Sequence, residues 1–272
     1  MHRVRDYRPP RVSVLIGCWN NAATLRAAAD SILTQTLGDL ELVIVDDGST
    51  DGTPDLVAEL QSADARVRYL PLAHMGISRS LNEGLRAARA DFVAFQDADD
   101  WSEPERLERE LAVFERRPEV VVVGCRMREV DGAGIELAAR TTFAGGDVND
   151  ALMRFNPIPN SCAMVRRAVV LDAGGFDPRY LYAMDYDLWL RLAERGTVVT
   201  LEEPLAVRVM GGANVAARKE SAQTAETVRL RLEALRRRRT IRGAGGLALP
   251  LISLATPVPL KRARRRRLGQ AP

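Results

Sequence analysis

The sequence predicts an α/β domain: a mostly parallel central sheet flanked by helices, followed by a helical, basic C-terminal extension. Three observations carry this. Short apolar runs rich in Val and Ile alternate with amphipathic segments through residues 11–125. Two of those runs stop at acid clusters, Asp46-Asp47 and Asp97-Ala98-Asp99-Asp100. Arginines and a lysine crowd the end of the chain, at Arg236 to Arg239 and Lys261 to Arg267.

Taken in order, Val12 to Ile16 reads as a buried strand. It runs into Gly17-Cys18-Trp19-Asn20-Asn21, where Asn20 or Asn21 is placed to cap a helix. Leu25, Ala28 or Ala29, and Ile32 then repeat at helical spacing. Leu42 to Val45 is a second buried strand ending in acid, and Thr53-Pro54 reads as a cap with proline in the first turn. Val67 to Leu72 is a third strand, and a helix opens near Gly76 and runs to about Arg89. Phe92 to Gln96 is a fourth strand. Ser102-Glu103-Pro104-Glu105 matches a capping box before a helix that stops at Pro118, and Val120 to Val123 is a fifth strand.

The second half is less regular. A hairpin is expected around Asp131-Gly132, a short helix over 148–154, a loop at Asn156 to Asn160 and a strand over Cys162 to Val165. Helices are expected at Ala168 to Asp172 and Tyr182 to Arg195, the latter presenting Asp185 and Asp187 early. Val198 to Leu201 and Leu205 to Val209 read as two strands, and Thr224 to Arg239 as a helix.

Composition narrows the classes. The 272 residues are 46% hydrophobic with a net charge of +3, enough for a sizeable core. Cys18, Cys125 and Cys162 sit in or beside apolar runs without a C-x-x-C pair, which reads as buried reduced thiols and not a zinc site. No run is long and apolar enough to span a membrane; Gly246 to Leu260 is short and broken by prolines. Beside the basic tail, that stretch is expected to lie on an anionic membrane surface, giving a cytoplasmic chain peripheral to the inner face of the plasma membrane. A solvated tail reads equally well. No glycine-rich fingerprint follows the first strand, which argues against dinucleotide binding.

The acid clusters point to chemistry. Carboxylates a few ångströms apart repel unless a cation neutralises them. A hard divalent cation, Mg²⁺ or Mn²⁺, held by Asp97 and Asp99 satisfies that, and it keeps positions open for a phosphorylated substrate. Asp97-Ala98-Asp99 alone also reads as an acidic turn before a helix. Ligands of parallel sheets bind beyond the carboxyl ends of the strands, where both clusters lie.

The stretches VSVLIGCWNN (12–21), SILTQTLGDLELVIVDDGSTDGT (31–53), SLNEGLRAARADFVAFQDADDW (80–101), AGGFD (173–177) and MDYDLWLRLAERG (184–196) together resemble the family 2 glycosyltransferases of the GT-A fold. The resemblance covers roughly residues 11–215. It implies the nucleotide-diphospho-sugar transferase fold, with an N-terminal tail (1–10), a nucleotide-binding half (11–125), an acceptor-binding half (126–214) and the extension (215–272). It implies an inverting transfer from a nucleotide diphosphate sugar, UDP foremost, to a polysaccharide or lipid-linked glycan. Asp47, beside Asp46, would bind the base. Gly17 and Asn20 would meet the nucleotide, with Arg79 near it. Asp97 and Asp99 would hold the metal, and Asp185 would be the general base, with Asp187 the alternative.

Three departures stand out. Met184 replaces a frequent Glu, Asn160 a frequent histidine, and Met210 a histidine after the last strand. Met184 and Met210 favour the rival reading, a non-catalytic nucleotide-sugar-binding protein or scaffold. Specific nucleic-acid binding is not expected.

Overall fold

The computed structural model describes residues 9–131, 134–137, 145–210 and 216–238, with side chains from 222 to 237 in the last segment. The N-terminal tail before residue 9, the tip of the expected Asp131-Gly132 hairpin and the apolar and basic tail beyond 238 lie outside the described residues.

The first half folds as β1 (Val12–Cys18), α1 (Leu25–Leu33), β2 (Leu40–Asp46), α2 (Thr53–Ala63), β3 (Val67–Pro71), α3 (Ile77–Ala87), β4 (Phe92–Asp97), β5 (Asp100–Ser102), α4 (Arg106–Arg116) and β6 (Val120–Val130). The second half adds β7 (Gly146–Asp147), β8 (Ala163–Arg166), α5 (Arg167–Asp172), α6 (Met184–Leu192), β9 (Thr197–Val209) and α7 (Ala216–Arg238). Among the described residues the strands form one sheet in the order β3-β2-β1-β4-β8-β6-β9-β5, with β7 on β9. Parallel pairing dominates by length: β1, β2, β3 and β4 run parallel, as does the long β6–β9 pair, while each antiparallel pair spans two or three residues. Both halves of the chain contribute neighbouring strands, since β8 inserts between β4 and β6.

Alternation along the strands sorts the core. Leu15, Val43, Val45 and Phe95 face α3, α5, α6 and α7, whereas Val14, Ile16, Leu42, Ile44 and Ala94 face α1, α2 and α4. Trp189 is fully buried and donates its indole N–H to Ile158 O at 2.9 Å. The three thiols are buried.

Several local expectations change. Neither Asn20 nor Asn21 caps α1 through its side chain; α1 follows Thr24, and the Asn side chains are drawn into loop contacts instead. Thr53 is the first residue of α2, not its cap. The capping box at Ser102 does not form, because Ser102 ends β5 and its hydroxyl donates to Gln96 Oε1 at 2.7 Å; α4 starts at Arg106. The two strands expected after Gly196 are one, β9, with bulges in its pairing to β6. In the expected helix over 148–154, a single 3₁₀ turn forms at Ala151–Met153.

The strand that carries Asp97 is braced from below by a buried ion pair. Arg106 is fully buried; its Nε donates to Glu110 Oε1 at 3.1 Å, and its other nitrogens reach Gln96, Ser102, Phe95 O and Ala163 O. One cation thereby ties β4, β5, β8 and α4. Burial pushes the Glu110 carboxyl up to about 7 against the pull of Arg106. Removing one partner of such a pair leaves a charge uncompensated in the core. Glu110→Ala should therefore destabilise the fold by about 3–5 kcal/mol in chemical denaturation, with Glu110→Gln milder because it keeps an acceptor for Arg106.

Candidate active site

Register puts the acids on one rim. β1 lies between β2 and β4, so Gly17 is flanked by Val45 and Asp97, and Cys18 pairs with Asp46. A Cβ on Gly17 would stand 2.5 Å from Ile77 Cδ1, so glycine here lets α3 pack on the strand.

The β1 and β2 loops are stitched together above the rim. Asn20 has φ +56°, a left-handed conformation that Asn tolerates. Its Oδ1 accepts from Thr50 N at 2.8 Å, and its own N–H donates to Ser49 Oγ at 2.9 Å. Asp46 is buried, accepting from Ser49 N, Ser49 Oγ and, at 2.6 Å, Tyr69 OH. Asp47 is also buried. Its Oδ1 accepts from Met75 N and Ser80 Oγ, both at 2.7 Å, and its Oδ2 from Gly76 N at 2.9 Å. His74 lies 3.0 Å from the same carboxylate and stacks on the exposed Trp19, ring centroids 4.7 Å apart. Arg79 is exposed in the first turn of α3, without an ion-pair partner among the described residues.

The second cluster is differently compensated. Asp97 is half-buried and its Oδ1 accepts from Asn160 Nδ2 at 2.8 Å. Asp100 is buried, accepting from Ser161 Oγ at 2.6 Å and from Arg208 at 3.2 Å. Burial pushes its carboxyl up to about 6; Arg208 and Ser161 oppose the rise and Asp97 adds to it. Arg208 also stands 3.7 Å from Asp97. Asp99 is exposed, and no hydrogen bond or ion pair engages it among the described residues. Asn160 Oδ1 is buried without a partner, and a flipped amide would set it against the Asp97 oxygen.

A cavity of about 410 Å³ joins these groups to the second half of the chain. Asp97, Asn160 and Arg208 line it with Asn156, Met184, Asp185 and residues of α7. Asp185 sits in the first turn of α6, its Oδ2 accepting from Asn156 Nδ2 at 3.0 Å and its Oδ1 from Tyr186 N at 2.7 Å. Burial pushes this carboxyl up to about 6, the two hydrogen bonds holding it back. Asp187 is buried in an ion pair with Arg191 and is not part of the cavity lining.

Thus Asp97 and Asp185 share one cavity. Gly17, Asn20, Asp46 and Asp47 stand at the ends of β1 and β2 on the same sheet edge. Sequence reasoning gave no role to Arg208, Asp100 or Asn156. A signal existed for Arg208: a cation inside the apolar run Leu205 to Val209 needs a buried partner.

Comparison with known proteins fits this geometry. The sequence model described as "Glycosyl transferase family 2" matches residues 13–172. The chain belongs to glycosyl transferase family 2. The amylovoran biosynthesis glycosyltransferase AmsE of Erwinia amylovora is 31% identical over 206 residues, 75% of this chain and 77% of that one. The hyaluronan synthase of Pasteurella multocida is 29% identical over 212 residues, 78% of this chain but only 22% of the synthase. In fold, the chain matches S. aureus TarS in complex with UDP at TM-score 0.66 and 19% identity, over 83% of this chain and 65% of that one. It also matches the mannosyltransferase PcManGT of Pyrobaculum calidifontis, in complex with GDP-Man and Mn²⁺, at TM-score 0.66 and 20% identity, over 96% of this chain and 80% of that one. The glycosyltransferase fold expected from the sequence, GT-A, is therefore the one adopted.

The Asp47 carboxylate pins the β3–α3 connection of this glycosyltransferase through two backbone N–H groups and a hydroxyl. Asp47→Ala orphans those donors. Amide exchange at Met75 and Gly76 should rise, and stability should fall by about 1–3 kcal/mol, with Asp47→Asn intermediate.

Proposed function

We propose that the chain is an inverting, metal-dependent glycosyltransferase that moves a sugar from a nucleotide diphosphate donor, UDP foremost, to a hydroxyl of a polysaccharide or lipid-linked glycan. The observation that carries the reading is the cavity shared by Asp97 and Asp185. One carboxylate belongs to the sheet-end cluster suited to a cation; the other, in the first turn of α6, has its pKa raised to about 6 by burial.

In this reading the donor lies across the ends of β1, β2 and β4. The base sits at Asp47 with Gly17, Asn20 and Asp46 shaping its loop, and Arg79 near the phosphates. The exposed Trp19–His74 stack offers a flat apolar face beside Asp47. The donor set suits Mg²⁺ or Mn²⁺: carboxylate oxygens of Asp97 and Asp99, with the unpartnered Asn160 Oδ1 alongside. Among the described residues no group of three or more His, Cys, Asp or Glu side chains could hold a metal, so the nucleotide's phosphates and water would complete the shell. Such a cation neutralises the departing diphosphate as a Lewis acid. Arg208 stands 3.7 Å from Asp97 and 3.2 Å from Asp100, so a cation held by Asp97 would share that carboxylate with it.

Asp185 then takes the acceptor's proton. Asn156 and the Tyr186 N–H orient it, each occupying one oxygen and leaving lone pairs toward the cavity. A base must be ionised to act. With its pKa raised to about 6, Asp185 is charged above that pH and protonated below it.

Among the described residues no helix is long and apolar enough to cross a membrane. Attachment of the cytoplasmic chain to the inner face of a membrane would fall to the apolar and basic tail, which lies outside the described residues. The name of the amylovoran relative supports a place in polysaccharide synthesis.

A panel of nucleotide sugars screened with and without Mn²⁺ tests the donor. The correct one should raise the melting temperature only with metal, because ligand binding adds to folded-state stability; a chain indifferent to all of them refutes the reading. With that donor, kcat/KM should fall tenfold per pH unit below about 6. Asp185→Asn should cost about a hundredfold or more in turnover while nucleotide affinity persists; full turnover in that variant excludes Asp185 as the base.

A further inference from the structure

α6 carries Asp185 in its first turn, yet nothing local caps it. The preceding residue is Ala183, which makes no side-chain cap. The cap comes from α7. Both oxygens of Glu226 accept from the chain just before α6: Leu181 N at 2.9 Å, Tyr182 N at 2.8 Å and Ala183 N at 3.0 Å. Ala183 is the N-cap residue of α6 and Leu181 and Tyr182 are the two residues before it, so one carboxylate fixes the chain's entry into the helix through three charge-assisted hydrogen bonds.

α7 also holds Tyr186, the residue after Asp185. Arg231 is buried, donates from Nε to Tyr186 OH at 2.8 Å and lies over that ring at 5.4 Å. Tyr186 OH in turn donates to Leu152 O. Leu230 and Ala234 are buried in the core beneath α6, so the clamp rests on an apolar seat. Gln223, Thr227 and Arg231 line the same cavity as Asp97 and Asp185. The α7 residues Gln223, Glu226, Thr227, Leu230, Arg231 and Ala234 all lie beyond the segment matched to the family, 13–172.

We propose that Glu226 is a positioning residue for the transfer. α7 supplies the missing cap of α6, holds Asp185 against the cavity, and forms the acceptor-side wall of this chain's site. The proposal rests on Asp185 being the general base. Without Glu226 the three N–H groups are left unpaired, the chain entering α6 at Leu181 to Ala183 loosens, and the Asp185 carboxylate two residues further on loses its fixed direction. The donor pocket, built on β1, β2 and β4, is untouched by that loss.

The test uses the full chain with Glu226→Ala and Glu226→Gln. Three readouts are taken: amide hydrogen exchange over residues 181–187, UDP affinity with Mn²⁺, and kcat and KM with the nucleotide sugar chosen by the melting screen. Faster exchange at Leu181, Tyr182 and Ala183 is expected. In Glu226→Ala, kcat should fall about tenfold with donor KM and UDP affinity unchanged. Glu226→Gln should fall less, since its amide keeps one acceptor oxygen. Unchanged exchange overturns the proposal. So does unchanged kcat despite exposed amides, or a loss of UDP affinity in step with kcat, which marks general damage. Should Glu226→Ala fail to fold, Glu226→Gln is judged by the same criteria. Full turnover in Asp185→Asn refutes the catalytic half through the reading of Asp185 itself, even where exchange upholds the cap.

Discussion

Carboxylates gathered on one edge of a sheet repel each other, and each must be compensated by something. In this chain the compensation differs by position, and the differences sort the groups. Asp46 and Asp47 are satisfied by hydroxyls and backbone N–H groups, so they build loops as well as line a rim. Asp100 is held by Arg208 and Ser161. Asp185 has two hydrogen bonds against its burial, and they compensate it only in part, so its pKa rises to about 6. Asp99 alone of this set faces water without a protein partner among the described residues. Asp99, with least internal compensation, is the carboxylate most free to engage a cation.

The sheet makes this possible. β1, β2 and β4 run parallel and in register, so their ends stand at one level. β8 inserts antiparallel beside β4 and carries Asn160 and Ser161 up to the same rim. The buried Arg106 bridges β4, β5, β8 and α4 just beneath it. The acid cluster therefore sits on a braced support, whereas Asp185 sits on a short helix held by α7. The two walls of the cavity have separate mechanical origins.

Much of this was legible in the residues. Continuous apolar runs ending in acid placed β1, β2 and β4 and their rim, because parallel strands buried on both faces leave an unbroken apolar signature. The caps were misplaced for a physical reason: Asn20, Thr53 and Ser102 spend their side chains on partners from other segments, and such long-range choices leave no local trace. β5 and the fusion of two runs into β9 were hidden because a three-residue edge strand and a bulged strand break periodicity. Arg208 and Glu226 act across about a hundred and about forty residues of chain, respectively. Their partners became visible only when the fold brought them together.

The central claim is that a cation bridges a nucleoside diphosphate to the Asp97–Asp99 cluster while the base lies at the end of β2. A crystal soaked in UDP and Mn²⁺, with data collected at the manganese edge, tests this most directly. The account predicts an anomalous peak within coordination distance of Asp99 or Asp97 and of the diphosphate, uracil beside Asp47, and Arg208 turned away from Asp97. UDP bound with the metal elsewhere, or uracil on another face of the sheet, would contradict it.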